Sequence, residues 1–179
     1  MDALGQLIHL EQRHSAPLDA FMAEFSAKGE EAYGFAVRDV LGASYTSDEA
    51  IRLLDALHRG ERLPQGWVPS TTWGWEHEGA LQGLINLRHR LTPALENFGG
   101  HIGYSVAPSF RRRGIATAML AAVLEVCRQR HMERILITCD AENIASARTI
   151  ERQGGRLERE AWHEGTQRVQ RWYWIELSS

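Results

Sequence analysis

The stretch from 99 to 129, GGHIGYSVAPSFRRRGIATAMLAAVLEVCRQ, constrains the fold more than any other part of the chain. It opens with a short β-rich run that ends before Pro108, because proline cannot extend a central ladder. From about Gly114 to Arg130 the apolar residues then recur at helical spacing. A strand followed at once by a long amphipathic helix requires a fold in which helices pack on a sheet.

Three further helices are predicted from their start and stop signals. SAPLDAFMAEFSAKG has Pro17 in its first turn and Gly29 as its end. SDEAIRLLDALHRG has acidic residues in its first turn and ends at Gly60. NIASARTIERQGG begins with Asn143 as a cap and ends in glycines.

Strands are predicted on both sides of these helices. LIHL is a first short strand, and STTWGWEHEGALQGLINLRHR is a hairpin about Glu78. RILITC has the continuous apolar pattern of a buried strand. A second hairpin, about Glu164, closes the chain. The order predicts an α/β or α+β fold with one mixed sheet and helices packed on it.

Composition excludes several functional classes. A chain of 179 residues, 44% of them hydrophobic, suits one globular domain. The net charge of −3 gives no general attraction to nucleic acid or anionic membranes. Cys127 and Cys139 lack metal or redox spacing, and there is neither a signal-peptide pattern nor a membrane-length apolar run. We expect a soluble cytoplasmic protein without a metal, a nucleic-acid partner or a membrane partner.

Three consecutive arginines, Arg111 to Arg113, precede the long helix. Positive side chains are unfavourable there, because the helix N-terminus already carries partial positive charge. A turn at Gly114 that presents several backbone N–H groups would bind a phosphate group, and a pyrophosphate would offset both the dipole and the arginines. The alternative is a solvated basic turn whose arginines pair with surface acids.

The pattern R-x-x-G-x-A in this loop follows a strand that ends in V-A-P and precedes ITCDAENIASARTIERQGG. Together these features resemble the GNAT acetyltransferase superfamily over residues 70–179, and more loosely over the two N-terminal helices. GWVPSTTWGW and GLINLRHRL also look like a bacterial branch of predicted acetyltransferases. The resemblance implies one GNAT-like domain, 1–179, with a mixed, mostly antiparallel central sheet flanked by helices. Residues 1–69 would shape the acceptor site, and 70–179 would form the core sheet and bind acetyl-CoA.

The resemblance also implies a site for acetyl-CoA as co-substrate. The backbone from Arg111 through Thr117 would hold the pyrophosphate, and the main chains of two strand residues would pair with the pantetheine. Asn143 would bind the pantetheine arm and Ser146 would lie near the thiol; alternatively, these are only a helix cap and a packing residue. The implied cofactor-binding residues are Tyr104, Val106, Arg111, Arg112, Arg113, Gly114, Ile115, Ala116, Thr117, Asn143 and Ser146.

Two catalytic residues are predicted, Tyr104 and His101. The Tyr104 N–H is the expected oxyanion donor. The resemblance provides no general acid or base, because the usual tyrosine and glutamate positions hold Ile150 and Thr138. His101 lies close to where other relatives carry a glutamate base, and histidine titrates in a useful range. It is alternatively a strand histidine bonded to backbone; a water chain is another possible base, as are His89 and Glu96.

The predicted acceptor pocket comprises the first two helices and both hairpins. Arg88 and Arg90 would hold an acceptor carboxylate or belong to an ordinary polar face. Core positions are expected for most of the tryptophans near this region, which are Trp73, Trp75, Trp162, Trp172 and Trp174.

The function predicted from these features is acetyl-CoA-dependent N-acetylation of a small-molecule primary amine by direct attack. The alternatives are acetylation of a protein or aminoacyl-tRNA amine, and a non-catalytic acyl-CoA-binding domain. The acceptor, the acyl-chain preference and the oligomeric state are left open, and a homodimer through the closing strands is one possible arrangement.

Overall fold

A computed structural model describes residues 5–33, 35 and 37–177. The helices are α1 (Ser15–Lys28), α2 (Arg38–Leu41), α3 (Ser47–His58), α4 (Pro93–Asn97), α5 (Ile115–Gln129) and α6 (Ile144–Arg152). The strands are β1 (Gln6–His9), β2 (Ser70–His77), β3 (Ala80–Arg88), β4 (Ile102–Val106), β5 (Arg134–Asp140), β6 (Arg156–His163) and β7 (Arg168–Glu176). The predicted hairpins and long helices are present, and the short helices α2 and α4 were not predicted.

The helix termini follow the local sequence. Helix α3 begins at a capping box, in which Thr46 and Glu49 each accept a hydrogen bond from the other's backbone N–H. Helix α6 begins at Asn143, whose Oδ1 accepts from the Ser146 N–H at 3.0 Å. Helix α1 ends at Gly29, which has a left-handed φ of 64°. Sequence signals therefore position the helices that flank the sheets.

The strands form two antiparallel sheets instead of the single sheet expected. One has the order β1-β2-β3-β4 and the other β5-β7-β6. They meet just before β4, where Gly100 bridges to Ile137 and the His101 N–H donates to the Leu136 carbonyl at 2.7 Å. Beyond this contact β4 and β5 belong to different sheets, so the outer edge of β4 is left open. The mixed α/β class with antiparallel sheets flanked by helices is confirmed.

The junction between the sheets depends on Gly100. Its φ is 61°, and a Cβ atom would lie 2.4 Å from the Leu136 carbonyl oxygen. No other residue fits there without moving the β5 backbone. The second glycine of the GGH run therefore fixes where β4 leaves β5.

The hydrophobic core lies on both faces of the first sheet. On one face, Ile85 of β3 belongs to a cluster with Met119 of α5 and with residues of β5, α6 and β7. On the other face, Leu84 belongs to a cluster with Phe21 of α1 and residues of α3. The first sheet therefore separates α5 and α6, on one face, from α1 and α3, on the other.

The tryptophans mostly occupy the core, as expected. Trp73, Trp75 and Trp172 are buried, whereas Trp162 of β6 is 54% exposed. Among the helices that the structure describes, none has the length and apolar character needed to span a bilayer.

Candidate active site

The open edge of β4 carries backbone groups that have no strand partner. Hydrogen bonds from the Arg88 N–H to His101 and from the Ala107 N–H to Gln82 show which residues of this strand face β3. Because antiparallel pairing alternates, the N–H and C=O groups of Tyr104 point the other way, as do those of Val106. These are the two main chains expected to pair with the pantetheine.

Helix α1 and the residues just after it hold the loop that follows β4. The Glu24 carboxylate accepts from both the N–H and the hydroxyl of Ser109, each at 2.8 Å. The Arg111 guanidinium forms an ion pair with Glu30, and its Nε donates to the Val106 carbonyl at 3.2 Å. The charge of Arg111 is therefore paired with an acidic side chain of the protein. This agrees, for this side chain, with the alternative of a solvated basic turn whose arginines pair with surface acids.

The backbone of this loop presents N–H groups at the start of α5. Arg112 and Gly114 have left-handed φ angles of 64° and 81°. The first helical bond runs from Ala118 to the Gly114 carbonyl, and no side chain caps the helix. The N–H groups of Ile115, Ala116 and Thr117 consequently lack an acceptor within the helix. Such a cluster of donors binds an anion.

A cleft of about 650 Å³ lies between β4, this loop and α6. It is lined by all the predicted cofactor-binding residues except one, namely Tyr104, Val106, Arg111, Arg112, Gly114, Ile115, Ala116, Thr117, Asn143 and Ser146. The exception is Arg113, which donates to the Ser109 carbonyl at 3.1 Å and lies over the Phe110 ring. Its side chain is held against its own loop, so the structure places it outside the cleft.

Sequence reasoning missed two arginines of the cleft. Arg148 and Arg152 project into it from α6, and together with Arg112 they are exposed and have no ion pair in the described parts of the chain. Their spacing of four residues, which puts two helical side chains on one face, was the available signal. The cleft thus contains three guanidinium groups free to bind an anion.

The hydroxyl group of Tyr104 reaches across the cleft to α6. It lies 2.8 Å from the Ser146 hydroxyl, and either group can be the donor. Burial raises the pKa of Tyr104 to about 12. The phenol is therefore protonated at neutral pH and can donate a proton or a hydrogen bond.

The environment of His101 argues against the predicted role as a base. The side chain is only 6% exposed and lines neither the cleft nor the second cavity described below. Its Nδ1 accepts from the Leu136 N–H at 2.9 Å, and burial lowers its pKa to about 4. The geometry matches the alternative of a strand histidine bonded to backbone, because His101 lies at the junction of the two sheets.

The other two candidate bases also lie outside the cavities. His89 shares a hydrogen bond of 2.8 Å with the Thr71 hydroxyl, and burial lowers its pKa to about 4. Glu96 is exposed on α4, and its carbonyl accepts from the Trp172 indole N–H at 3.1 Å. In residues 5–33, 35 and 37–177, no group of three His, Cys, Asp or Glu side chains is placed to hold a metal ion.

A second cavity, of about 970 Å³, lies on the other face of the first sheet. Its walls come from α1, α3, the ends of β2 and β3, the described residues 30–33, 35 and 38–45, and the segments 65–68 and 92–99. The cleft and this cavity share Phe25, Glu30, Glu31 and Tyr33. Arg88 lines the second cavity whereas Arg90 does not, and the described residues of the closing hairpin contribute nothing to it.

Solved structures with a similar fold are acetyltransferases. An acetyltransferase from Salmonella typhimurium that modifies the N-terminal serine of 50S ribosomal subunit protein L7/L12 has 17% identity and a TM-score of 0.68, over 98% of this chain and 97% of that chain. RimL, the ribosomal L7/L12 alpha-N-protein acetyltransferase in complex with coenzyme A, has 17% identity and a TM-score of 0.70, over 97% and 95% of the two chains. The microcin C7 self immunity acetyltransferase MccE, in complex with acetyl-CoA and AMP, has 15% identity and a TM-score of 0.71, over 95% and 91%. A search of curated proteins found no significant sequence match.

The family itself is established by sequence. Residues 35–155, more than half of the chain, match the acetyltransferase (GNAT) family. The predicted enzyme class and the predicted co-substrate, acetyl-CoA, are thereby confirmed. The chain belongs to the GNAT family, and it is an acetyl-CoA-dependent N-acetyltransferase.

Proposed function

We propose that this acetyltransferase moves the acetyl group of acetyl-CoA directly onto the primary amine of a small molecule. The observation that carries this proposal is the pair of cavities on opposite faces of the first sheet, which share Phe25, Glu30, Glu31 and Tyr33. Donor and acceptor would enter from opposite sides and meet at the open edge of β4. The acceptor cavity, of about 970 Å³, is in the size range of small-molecule sites.

In this proposal the cleft binds the donor mainly through backbone groups. The N–H groups of residues 115–117 hold the pyrophosphate, and the open edges of Tyr104 and Val106 pair with the amides of the pantetheine. The Asn143 Oδ1 is engaged by the Ser146 N–H, so its Nδ2 is the group left to donate to the ligand. The unpaired arginines of the cleft complement the remaining phosphate charge.

The acetyl donor supplies a thioester, and the reaction forms the C–N bond and breaks the C–S bond. The Tyr104 N–H, at the open edge, donates to the carbonyl oxygen as negative charge develops there. The hydroxyl groups of Tyr104 and Ser146 supply the proton that the departing sulfur requires. Tyr104 thus acts through its backbone and its side chain in the same step.

The amine must lose a proton in the same reaction. None of the described residues that line either cavity is a histidine. We propose that water in the acceptor cavity takes this proton, in agreement with the buried position of His101. The rate should then rise with pH as a larger fraction of the acceptor amine becomes neutral.

A test of the proposal is to follow thiol release from acetyl-CoA with a panel of amino acids, polyamines and amino sugars. We expect release with at least one small amine and identification of its N-acetyl product by mass spectrometry. A protein amine is the second candidate, favoured by the similarity in fold to the enzyme that modifies the N-terminal serine of L7/L12. Release with N-terminal peptides alone would support that candidate and reject the small-molecule proposal. Binding of acetyl-CoA without release by any amine or peptide would support a non-catalytic domain.

We also propose a homodimer through the closing strands. Strand β6 lies at the edge of its sheet and is exposed along nearly its whole length. Its apolar side chains Leu157 and Trp162 are 51% and 54% exposed. Light scattering of the protein and of a Trp162→Lys variant tests this arrangement, and we expect the variant to be a monomer.

A further inference from the structure

The acceptor cavity contains an arginine that has no acidic partner. Arg88, the last residue of β3, is partly buried and lines this cavity. Its Nη1 donates to the carbonyl oxygens of Gly99 and Gly100, at 3.1 and 3.2 Å. Burial lowers its pKa, yet a guanidinium group stays charged at any physiological pH. The cavity wall therefore carries a fixed positive charge.

The hydrogen bonds to the two glycine carbonyls use only the Nη1 nitrogen of the Arg88 guanidinium group. In the described parts of the chain, the Arg88 Nε and Nη2 have no hydrogen-bond acceptor, and no carboxylate lies within ion-pair distance. These two nitrogens form the edge that binds a carboxylate through two parallel hydrogen bonds. A partly desolvated charge without a counter-ion is unfavourable, and a bound anion would compensate it.

Four acids line the cavity, and in the described parts of the chain none of them forms an ion pair with Arg88; the fourth, Asp39, has no ion pair there at all. Glu30 pairs with Arg111, and Glu31 lies 3.7 Å from Arg38. Asp19 accepts a hydrogen bond from the Ser47 hydroxyl at 2.5 Å. None of these carboxylates neutralises Arg88.

A neighbouring residue on the same strand offers the complementary group. Asn86 and Arg88 are two residues apart, so their side chains share a face of β3 about 7 Å apart. Asn86 donates through Nδ2 to the Thr72 hydroxyl at 2.9 Å, and its Oδ1 has no partner among the described residues. Asn86 is also in register with Gly103 of β4, one strand from the proposed acetyl position. An acceptor amine that donates an N–H to the Asn86 Oδ1 would lie between Arg88 and the open edge of β4.

We propose that the acceptor carries a carboxylate, which Arg88 binds, and that it is an α-amino acid or a similar amine with a nearby carboxylate. This inference rests on the proposed function, because it names the substrate class of the same cavity. Binding of the carboxylate to Arg88 would orient the amine towards Asn86 and β4. The enzyme would then discriminate between amines by the charged group they carry.

The experiment compares matched acceptors: the proteinogenic L-amino acids, the corresponding amino acid carboxamides, and aminophosphonic acids. For at least one pair we expect kcat/KM for the acid to exceed that for the carboxamide by about 10- to 100-fold, the range of a charge-assisted hydrogen bond. In Arg88→Met this ratio should fall to near unity. In the matched control Arg90→Met, at an exposed arginine outside the cavity, the ratio should persist.

The outcomes separate this inference from the function on which it rests. Three results would overturn the carboxylate assignment and leave the acetyltransferase activity unaffected. These are equal acetylation of carboxamides and acids, a preference for aminophosphonic acids over both, and an unchanged ratio of kcat/KM in Arg88→Met. Acetyl-CoA binding without acetylation of any acid would overturn it as well. Failure to bind acetyl-CoA at all would instead reject the donor site. If Arg88→Met does not fold, Arg88→Lys replaces it, and the acid preference should still fall because lysine lacks the two-pronged edge.

Discussion

The cleft and the acceptor cavity lie on opposite faces of one sheet, and they are built in different ways. Half of the residues that line the cleft come from one continuous segment, β4 with the following loop and the first turn of α5, and the groups that we propose to bind its ligand are mainly backbone N–H groups. The acceptor cavity takes its walls from segments spread between 19 and 99, and in our proposal its ligand is bound by side chains such as Arg88. A backbone site fixes one ligand shared by a family, whereas a side-chain site can change its ligand by substitution. The comparison explains why the donor is clear from this chain and the acceptor is not.

The largest effect is expected from a substitution that obstructs the cleft and leaves the acceptor cavity unchanged. Gly114 has φ 81°, and a Cβ atom there would meet no atom within 4 Å, so Gly114→Glu adds a charged side chain where we propose that the pyrophosphate binds. We expect loss of about 100-fold or more in affinity for acetyl-CoA, from repulsion and backbone strain together. Calorimetric titration measures it.

Gly79→Glu is the matched control for that substitution. Gly79 also has a left-handed φ, 78°, and open space around it, but it lies in the turn between β2 and β3. It should bind acetyl-CoA normally. Equal affinity in both variants would show that the loop does not hold the donor.

The next largest effect is expected on the acetyl-transfer step, at Tyr104. Tyr104→Phe removes the hydroxyl group that contacts Ser146 but keeps the backbone N–H and the ring. We expect kcat to fall about 100-fold with little change in the KM for acetyl-CoA, because general-acid assistance is lost while binding remains. Ser146→Ala, measured beside it, should produce a smaller decrease. Unchanged kcat in Tyr104→Phe would assign protonation of the thiolate to water.

A smaller effect is expected from the arginines of the cleft, on the choice between two acetyl donors. Arg112, Arg148 and Arg152 line the cleft and have no ion pair with any described residue, and we propose that they bind the 3′-phosphate of the donor. In the double variant Arg148→Met and Arg152→Met, the preference for acetyl-CoA over acetyl-3′-dephospho-CoA should fall about tenfold. Arg156→Met, at an exposed arginine of β6 outside the cleft, is the control. The same preference in all variants would remove the arginines from phosphate binding.

The smallest effect on catalysis is expected at His101. Asparagine retains an acceptor for the Leu136 N–H, so His101→Asn removes titration with little change in structure. The pH dependence of kcat should be unchanged, whereas loss of the acid-side limb, where a general base becomes protonated, would restore His101 as the base.

His101 should instead affect stability. Its pKa is about 4 in the folded protein, and about 6.5 is usual for an unfolded chain. The folded state favours the neutral ring, so the stabilisation is complete above about pH 6.5 and decreases as the pH falls towards 4. Urea denaturation at about pH 7 and about pH 4.5 should show a smaller acid-induced loss in His101→Asn than in the native protein.

The sequence predicted the parts of the molecule in which neighbouring residues act together. The strand, loop and helix from 102 to 129 were predicted nearly to their bounds, and most residues expected at the cofactor site line one cleft. The position of the Arg113 side chain outside the cleft could not be predicted, because consecutive loop side chains point in different directions, which only the backbone angles determine. Arg148 was missed because the face that α6 turns towards the cleft depends on its packing against α5.

Features that depend on distant contacts could not be read from the chain. The division into two sheets occurs at Gly100, where the close approach of the Leu136 carbonyl requires glycine. That junction buries His101, which strand alternation alone would have left available as a base. The acceptor cavity also receives 92–99 instead of the closing hairpin, because α4 and its flanking residues follow β3 directly.

The most direct test of this account is calorimetric titration of the protein with acetyl-CoA, with coenzyme A and adenosine diphosphate as comparisons. The account predicts micromolar binding of both coenzyme A species and weaker binding of the nucleotide, because the open edge of β4 contributes only when the pantetheine is present. Equal affinity for all three would contradict the role of Tyr104 and Val106. No binding of any of them would mean that the loop at 111–117 is only a basic turn, and the donor site proposed in this cleft would be wrong.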